Sequence, residues 1–154
     1  MIWGAITYDH KGPITILDQG RMTGSKYITM ILEPHLIPFW MKMMETLGLA
    51  EVMEDGAAVH RCAISKKYRQ AHGLTSIPWP AQSPDLNPLE NLWRILKHRI
   101  SRRVEGRPRS IDEMKALLQA EWEELDISTW KNMIESMPKR VQECIDAEGG
   151  STHY

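Results

Sequence analysis

Apolar positions change their period several times along this 154-residue chain, and each change predicts an element. Met1 to Tyr8 is apolar and rich in β-favouring residues, Asp9-His10-Lys11-Gly12-Pro13 carries turn residues, and Ile14-Thr15-Ile16-Leu17 is apolar again, which predicts a hairpin. Residues 26–48 switch to helical spacing through Tyr27, Met30, Ile31, Leu36, Ile37, Trp40, Met43, Met44 and Leu47. Thr23 or Ser25 suits the N-cap, Gly48 the end, and Pro34 and Pro38 should bend or divide the helix. Glu51 to Gly56 reads as a short strand running into a Gly turn, residues 60–72 as a helix closed by His72-Gly73, and Leu74 to Ile77 as another short strand. Helices follow at 90–103, 110–125 and 127–147, with Leu89, Trp93, Leu96 and Ile100 on the buried stripe of the first. Strands alternating with helices predict an α/β fold, a mixed sheet flanked by helices.

One segment obeys neither period. Pro78 to Pro88 holds four prolines in eleven residues, so it is stiff and extended and can join neither a sheet interior nor a helix. It leads into Asn87-Pro88-Leu89-Glu90, where Asn87 suits the N-cap, Pro88 the first helical position and Glu90 the third.

Composition then narrows the class. The chain is 42% hydrophobic and 25% charged, as in an ordered protein, and its length suits one core. It has no apolar run near the roughly 18 residues of a membrane span, and its first residues do not read as a signal peptide, so an intracellular protein without a membrane partner is expected. Cys62 and Cys144 are too few for a disulfide scaffold and lack the spacing of a zinc finger.

The net charge of −1 conceals blocks. Residues 94–109 hold seven Lys/Arg against one acid, whereas residues 110–154 hold four against ten. The basic block either attracts a phosphate backbone or forms a solvated helix face paired with the acidic tail.

Two carboxylates stand out by position. Asp55 closes a predicted strand, where open α/β sheets gather ligands, and Glu90 projects from the first turn of a helix presented by the rigid loop. Oxygen ligands of this kind suit Mg²⁺. Each also has a structural reading: Asp55-Gly56 is a common turn pair, and Glu90 is placed to complete a capping box with Asn87. His60 reads as a structural His or a polar group near the site, Glu54 as facing away from Asp55, and Trp40, Trp79 and Trp93 as packing residues.

The stretch Trp79-Pro80-Ala81-Gln82-Ser83-Pro84-Asp85-Leu86-Asn87-Pro88-Leu89-Glu90-Asn91-Leu92-Trp93, followed by Lys97, closely resembles the signature of Tc1/mariner-type transposases, whose last catalytic carboxylate falls on Glu90. Met53-Glu54-Asp55-Gly56-Ala57-Ala58-Val59-His60 resembles the family's second acidic motif and puts Asp55 in its catalytic position. Thirty-four residues separate the two, as in the Tc1 branch. Ile2-Trp3-Gly4-Ala5-Ile6 resembles the start of the second strand of the family's RNase H-like sheet.

The resemblance implies a DDE catalytic domain of RNase H-like fold over residues 1–106 with a C-terminal helical extension over 107–154. It further implies Mg²⁺- or Mn²⁺-dependent DNA cleavage and strand transfer, Asp55 and Glu90 as metal ligands, and a nuclear location. Arg94, Lys97, Arg99, Arg102 and Arg103 are the candidate DNA contacts, and His60 and Asn87 lie beside the site. DNA is the expected partner, together with a second copy of the chain or an intact transposase chain. The family's first Asp belongs on a central strand ahead of Ile2, and neither Asp9 nor Asp18 takes its position, so an N-terminally truncated, incomplete sheet with low independent activity is expected. The alternative is a noncatalytic remnant or a repurposed DNA-binding or protein-interaction module.

Overall fold

The computed structural model describes residues 1–17, 20–80, 83–103, 108–150 and 152–154. Asp18, Ala81, Gln82 and the boundary expected at residue 106 lie outside them. In chain order the elements are β1 (Ile2–Ile6), β2 (Lys11–Ile16), α1 (Gly24–Tyr27), a π-helical stretch (Ile28–Leu36), α2 (Ile37–Leu47), α3 (Ala58–Arg61), α4 (Ala63–Ala71), a 3-10 turn (Pro84–Leu86), α5 (Pro88–Arg102), α6 (Ile111–Glu123), α7 (Ile127–Glu135) and α8 (Met137–Asp146). They fall into two compact units, one made of Met1 with Leu17–Gln82 and the other of Ile2–Ile16 with Ser83–Tyr154.

The first unit is helical, with Tyr27, Ile28, Ile31, Leu32, Leu36, Ile37 and Met43 buried. Thr23 caps α1 by accepting the Lys26 N–H at 3.3 Å. The helix expected over 26–48 stays continuous across Pro34 by changing its winding. A proline has no N–H to donate and clashes with the carbonyl four residues back, and wider winding relieves both problems. The Ile37 N–H accordingly reaches back five residues to Leu32 O, and Pro38 enters the first turn of α2. Gly48, at φ 73°, ends the run.

The two strands expected at 51–56 and 74–77 shrink to a single parallel bridge between Val52 and Ser76. Val52 donates to Thr75 O at 3.0 Å and accepts from Ile77 N–H at 2.9 Å. Beyond Val52 the polar side chains find partners that compete with a ladder: Glu54 binds Tyr27 and Arg69, and the Asp55 carboxylate accepts the Ala57 N–H at 3.0 Å, which turns the chain. The helix expected over 60–72 begins earlier and breaks at Cys62, whose backbone is extended at φ −68°, ψ 151°. Gly24 permits the close approach there, since a Cβ on it would lie 2.6 Å from Cys62 Sγ and 2.5 Å from Ile64 Cγ2.

The second unit holds the two-stranded antiparallel sheet, the extent of regular sheet among the described residues. Trp3 faces Thr15 and Gly4 faces Ile14, and then the register shifts so that Ile6 faces Lys11. The extra length on β2 falls at Gly12-Pro13, where proline cannot donate to the ladder. β2 therefore starts inside the segment expected to be a turn.

Ile14, Leu92, Leu96, Leu118, Trp122, Leu125 and Trp130 form the core of this unit. The stripe of α5 centres on Leu92 and Leu96, with Leu89, Trp93 and Ile100 half-buried at its margins. Gly4 presses onto Trp93, where a Cβ would meet the indole at 2.8 Å, and Trp93 stacks on Trp122 at 5.9 Å between centroids. Trp122 donates to Gly12 O and Trp130 to Thr7 O, both at 3.0 Å. The Lys11 ammonium closes the end of α6 by donating to Trp122 O at 2.8 Å, Glu123 O at 2.7 Å and Leu125 O at 3.3 Å, a place where free carbonyls favour a cation. The helix expected over 127–147 divides at Ser136, and Pro138 stands in the first turn of α8.

Candidate active site

Asp55 belongs to the first unit. Its neighbour Glu54 is half-buried and receives both the Tyr27 hydroxyl and the Arg69 guanidinium, whose second nitrogen donates to His60 O. Both charged side chains of the Glu54–Arg69 pair are about nine-tenths shielded, at 10% and 8% exposed. Asp55 turns outward, with its side chain 53% exposed. One carboxylate oxygen, Oδ1, is oriented by the Ala57 N–H and by His60 Nδ1 at 2.8 Å. The His60 ring packs tilted against the buried Tyr27, 4.8 Å between centroids, so it meets Asp55 from a fixed base. The sequence predicts Glu54 facing away from Asp55 and His60 as a structural or site-adjacent group; here Glu54 turns to Arg69 and Tyr27 while His60 lies against Asp55.

Glu90 belongs to the second unit and opens α5. Asn87 is the N-cap, with its side chain accepting the Leu89 N–H at 3.1 Å, and Pro88 is the first helical residue. The reciprocal half of a capping box is not formed: the Asn87 N–H donates to Pro84 O at 3.0 Å in the 3-10 turn. The Glu90 carboxylate is exposed and has no hydrogen-bond or ion-pair partner among the described residues. The cap therefore leaves the acid available.

The preceding loop is fixed by groups that the spacing argument passed over. Asp85 Oδ2 accepts the Thr152 N–H at 2.9 Å and the Thr152 hydroxyl at 2.8 Å, and these bonds hold the Asp85 carboxyl below the usual carboxylate range. Arg140, 2% exposed, donates from one guanidinium nitrogen to Asp85 O at 2.6 Å and Asn91 Oδ1 at 3.1 Å. The single arginine among residues 110–154, two residues after Pro138, was the available signal.

The basic block divides in two. Arg103 pairs with the buried Glu121 at 2.5 Å and Arg99 lies 3.9 Å from the same carboxylate, so part of the block is matched by the acidic tail. Arg94, Lys97 and Arg102 are exposed on α5. Trp40 donates to Ala50 O at 2.7 Å, Trp93 packs on Trp122, and the Trp79 indole nitrogen is buried without a hydrogen-bond partner among the described residues.

Among the described residues no group of three or more His, Cys, Asp and Glu side chains converges to hold a metal ion. Asp55 and Glu90 do offer what a hard divalent cation takes: exposed carboxylate oxygens on elements anchored by buried neighbours.

A family model described as DDE superfamily endonuclease matches residues 4–115. The Tc1 transposase of Caenorhabditis elegans is 32% identical over 156 aligned positions, covering all of this chain and 54% of the relative. The Tc3 transposase of the same organism is 27% identical over 157 positions, covering 45% of its own length. The chain thus spans about half the length of the curated relatives it matches. Among solved structures, the Mos1 transposase catalytic domain with raltegravir and Mg superposes with a TM-score of 0.83 at 17% identity, covering 99% of this chain and 76% of that one. The Mos1 mariner paired end complex with Mn superposes at 0.78 and 20% identity, covering 92% and 41%. The fold is that of the RNase H-like Mos1 catalytic domain, with a regular sheet of two strands among the described residues.

Proposed function

The chain belongs to the DDE superfamily endonucleases, in their Tc1/mariner branch, and from that membership we propose that Asp55 and Glu90 are two of the metal-binding carboxylates of a transposase catalytic centre. Residues 1–106 are read as part of the catalytic domain and 107–154 as its C-terminal helical extension. The observation that carries the reading is the Glu90 carboxylate, which stands at a capping position and takes no part in the cap.

Asp55 and Glu90 would hold a divalent ion, Mg²⁺ or Mn²⁺, which when bound would supply charge stabilisation for transfer of a DNA phosphodiester. The protein's share is placement. His60 and the Ala57 N–H fix one oxygen of Asp55, and Asn87 with Pro88 fixes the turn that carries Glu90. Arg94, Lys97 and Arg102 meet DNA phosphates, which sets position without sequence preference. Arg99 and Arg103, bound to Glu121, add positive potential to the same helix. The first Asp of the triad is assigned outside these residues: Asp9 sits in the hairpin turn and pairs with Lys131 at 2.5 Å. DNA is the substrate, the nucleus the place of action, and a second copy or an intact transposase chain the protein partner.

Plasmid nicking in Mg²⁺ or Mn²⁺ tests the proposal. The chain extended by its upstream coding sequence is expected to nick, and Asp55→Ala and Glu90→Ala each to abolish nicking; activity surviving either change sinks the assignment. The 154 residues alone are expected to nick little and to bind DNA with an affinity that falls steeply with salt. Salt-insensitive binding counts against the phosphate contacts, and strong nicking by the chain alone overturns the need for an outside carboxylate.

A further inference from the structure

We propose that Arg140, backed by Thr152 and Tyr154, is a positioning clamp that sets the direction in which Glu90 projects. The proposal rests on the reading of Glu90 as a metal ligand. Its basis is where the guanidinium acts. Asp85, in the 3-10 turn before the cap, and Asn91, in the first turn of α5, bracket Glu90, and one nitrogen of Arg140 holds both, at 2.6 Å and 3.1 Å. The turn and the helix share only the Asn87-Pro88 junction as covalent link, so a donor spanning both sides removes the swing about that junction.

The clamp is itself held on three sides. Its Nε donates to Ser136 Oγ at 2.8 Å, at the start of α8. The Tyr154 ring lies 4.4 Å from the guanidinium carbon, over its face. Thr152 fixes the other end of the contact by donating twice to the Asp85 carboxylate. Residues 83–91 therefore meet Arg140 and Thr152 through charge-assisted bonds, the Arg140 donor buried and the Thr152 donors half-buried, which makes them strong and directional.

Such a device does more than dock α8, because it ties the turn before the cap to the first turn of α5. It suits a carboxylate that must be placed within about 0.5 Å to bind an ion in common with other ligands. Lysine cannot replace the arginine. An ammonium is a point donor, whereas here Nε and Nη1 of one planar group reach three acceptors in fixed directions.

The test uses the ¹⁵N-labelled chain with Mn²⁺ alone as probe, reading paramagnetic broadening and amide exchange at Leu89 to Leu92. Glu90→Gln is the control, expected to lose the broadening and keep wild-type exchange. Arg140→Lys, Thr152→Val and Tyr154→Ala are expected to raise the Mn²⁺ concentration for half-broadening about threefold or more and to speed exchange at these amides roughly tenfold, with exchange around Asp55 unchanged. Because Arg140 is buried, Thr152→Val and Tyr154→Ala carry the test if Arg140→Lys fails to fold. Wild-type exchange at Leu89 to Leu92 in those two variants overturns the clamp. Faster exchange with unchanged Mn²⁺ dependence also overturns it, since the contacts would then only support the helix. A wild-type chain with no broadening on α5 removes the metal role of Glu90, and the exchange result alone then decides whether the clamp holds the turn.

Discussion

The two motif-bearing regions solve one problem with different means. Around Asp55 the anchor is a buried ion pair: Glu54 is locked to Arg69 and Tyr27 so that the next residue, in an irregular segment, faces water. Around Glu90 the anchor is a capped helix start, and the charged support comes from Arg140, 50 positions further along the chain. The first arrangement spends a buried charge to give a loop residue a fixed direction. The second obtains direction from regular backbone and uses its buried cation only across the junction. A carboxylate held by a helix therefore tolerates loss of one support better than a carboxylate held by a turn.

Substitutions can break that contrast. Arg69→Ala should have the largest effect, about 3–5 kcal/mol of stability, because it removes the cation from a largely shielded Glu54 that keeps only the Tyr27 hydroxyl. Urea unfolding measures it, and a loss below about 1 kcal/mol would show that the pair does not anchor the Asp55 segment. Lys11→Met should cost about 1–3 kcal/mol by stranding the carbonyls that close α6, read in the same assay as a loss confined to the second unit by hydrogen exchange. Asn87→Ala should cost about 1 kcal/mol as a lost cap. Glu90→Gln should stay within about 0.5 kcal/mol, since the carboxylate has no hydrogen-bond or ion-pair partner among the described residues, and a larger loss would mean the helix start depends on it.

Acid gives the mildest perturbation. The Asp85 carboxyl is held below its ordinary value of 3.8 mainly by the Thr152 N–H and hydroxyl. A group with a depressed folded value contributes stability that is fully present above the unfolded value and is lost as pH falls through the folded one. The Thr152 amide resonance should therefore stay fixed above about pH 4 and shift only below it.

Much of the second motif was legible in the sequence because it is local. Asn87-Pro88 declares a helix start wherever it sits, and the structure has that cap. The capping-box reading of Glu90 failed for an equally local reason: Pro84 offers its carbonyl to the Asn87 N–H first. The strands at 51–56 and 74–77 were overestimated, because period and composition cannot register that Glu54 has a better partner in Arg69 than in a ladder. The single helix expected at 127–147 was divided by Pro138, a signal present but outweighed by the apolar spacing. The pairing of Arg99 and Arg103 with Glu121 was open on charge alone, and only packing chose which cations of the block stay exposed.

The hairpin and the helices that grip it lie at opposite ends of the chain, and this sets a time scale. Trp122 and Trp130, whose indoles donate to Gly12 and Thr7, follow them by 110 and 123 positions. At ribosomal speeds of about 5–20 residues per second, the first strands wait on the order of ten seconds before their partners exist. During that interval Trp3, Ile14 and Ile16 have no finished core to enter, so the nascent chain passes through a stage in which the hairpin's apolar residues stay uncovered. Chaperone demand during synthesis should therefore fall when α7 emerges, not when the hairpin closes.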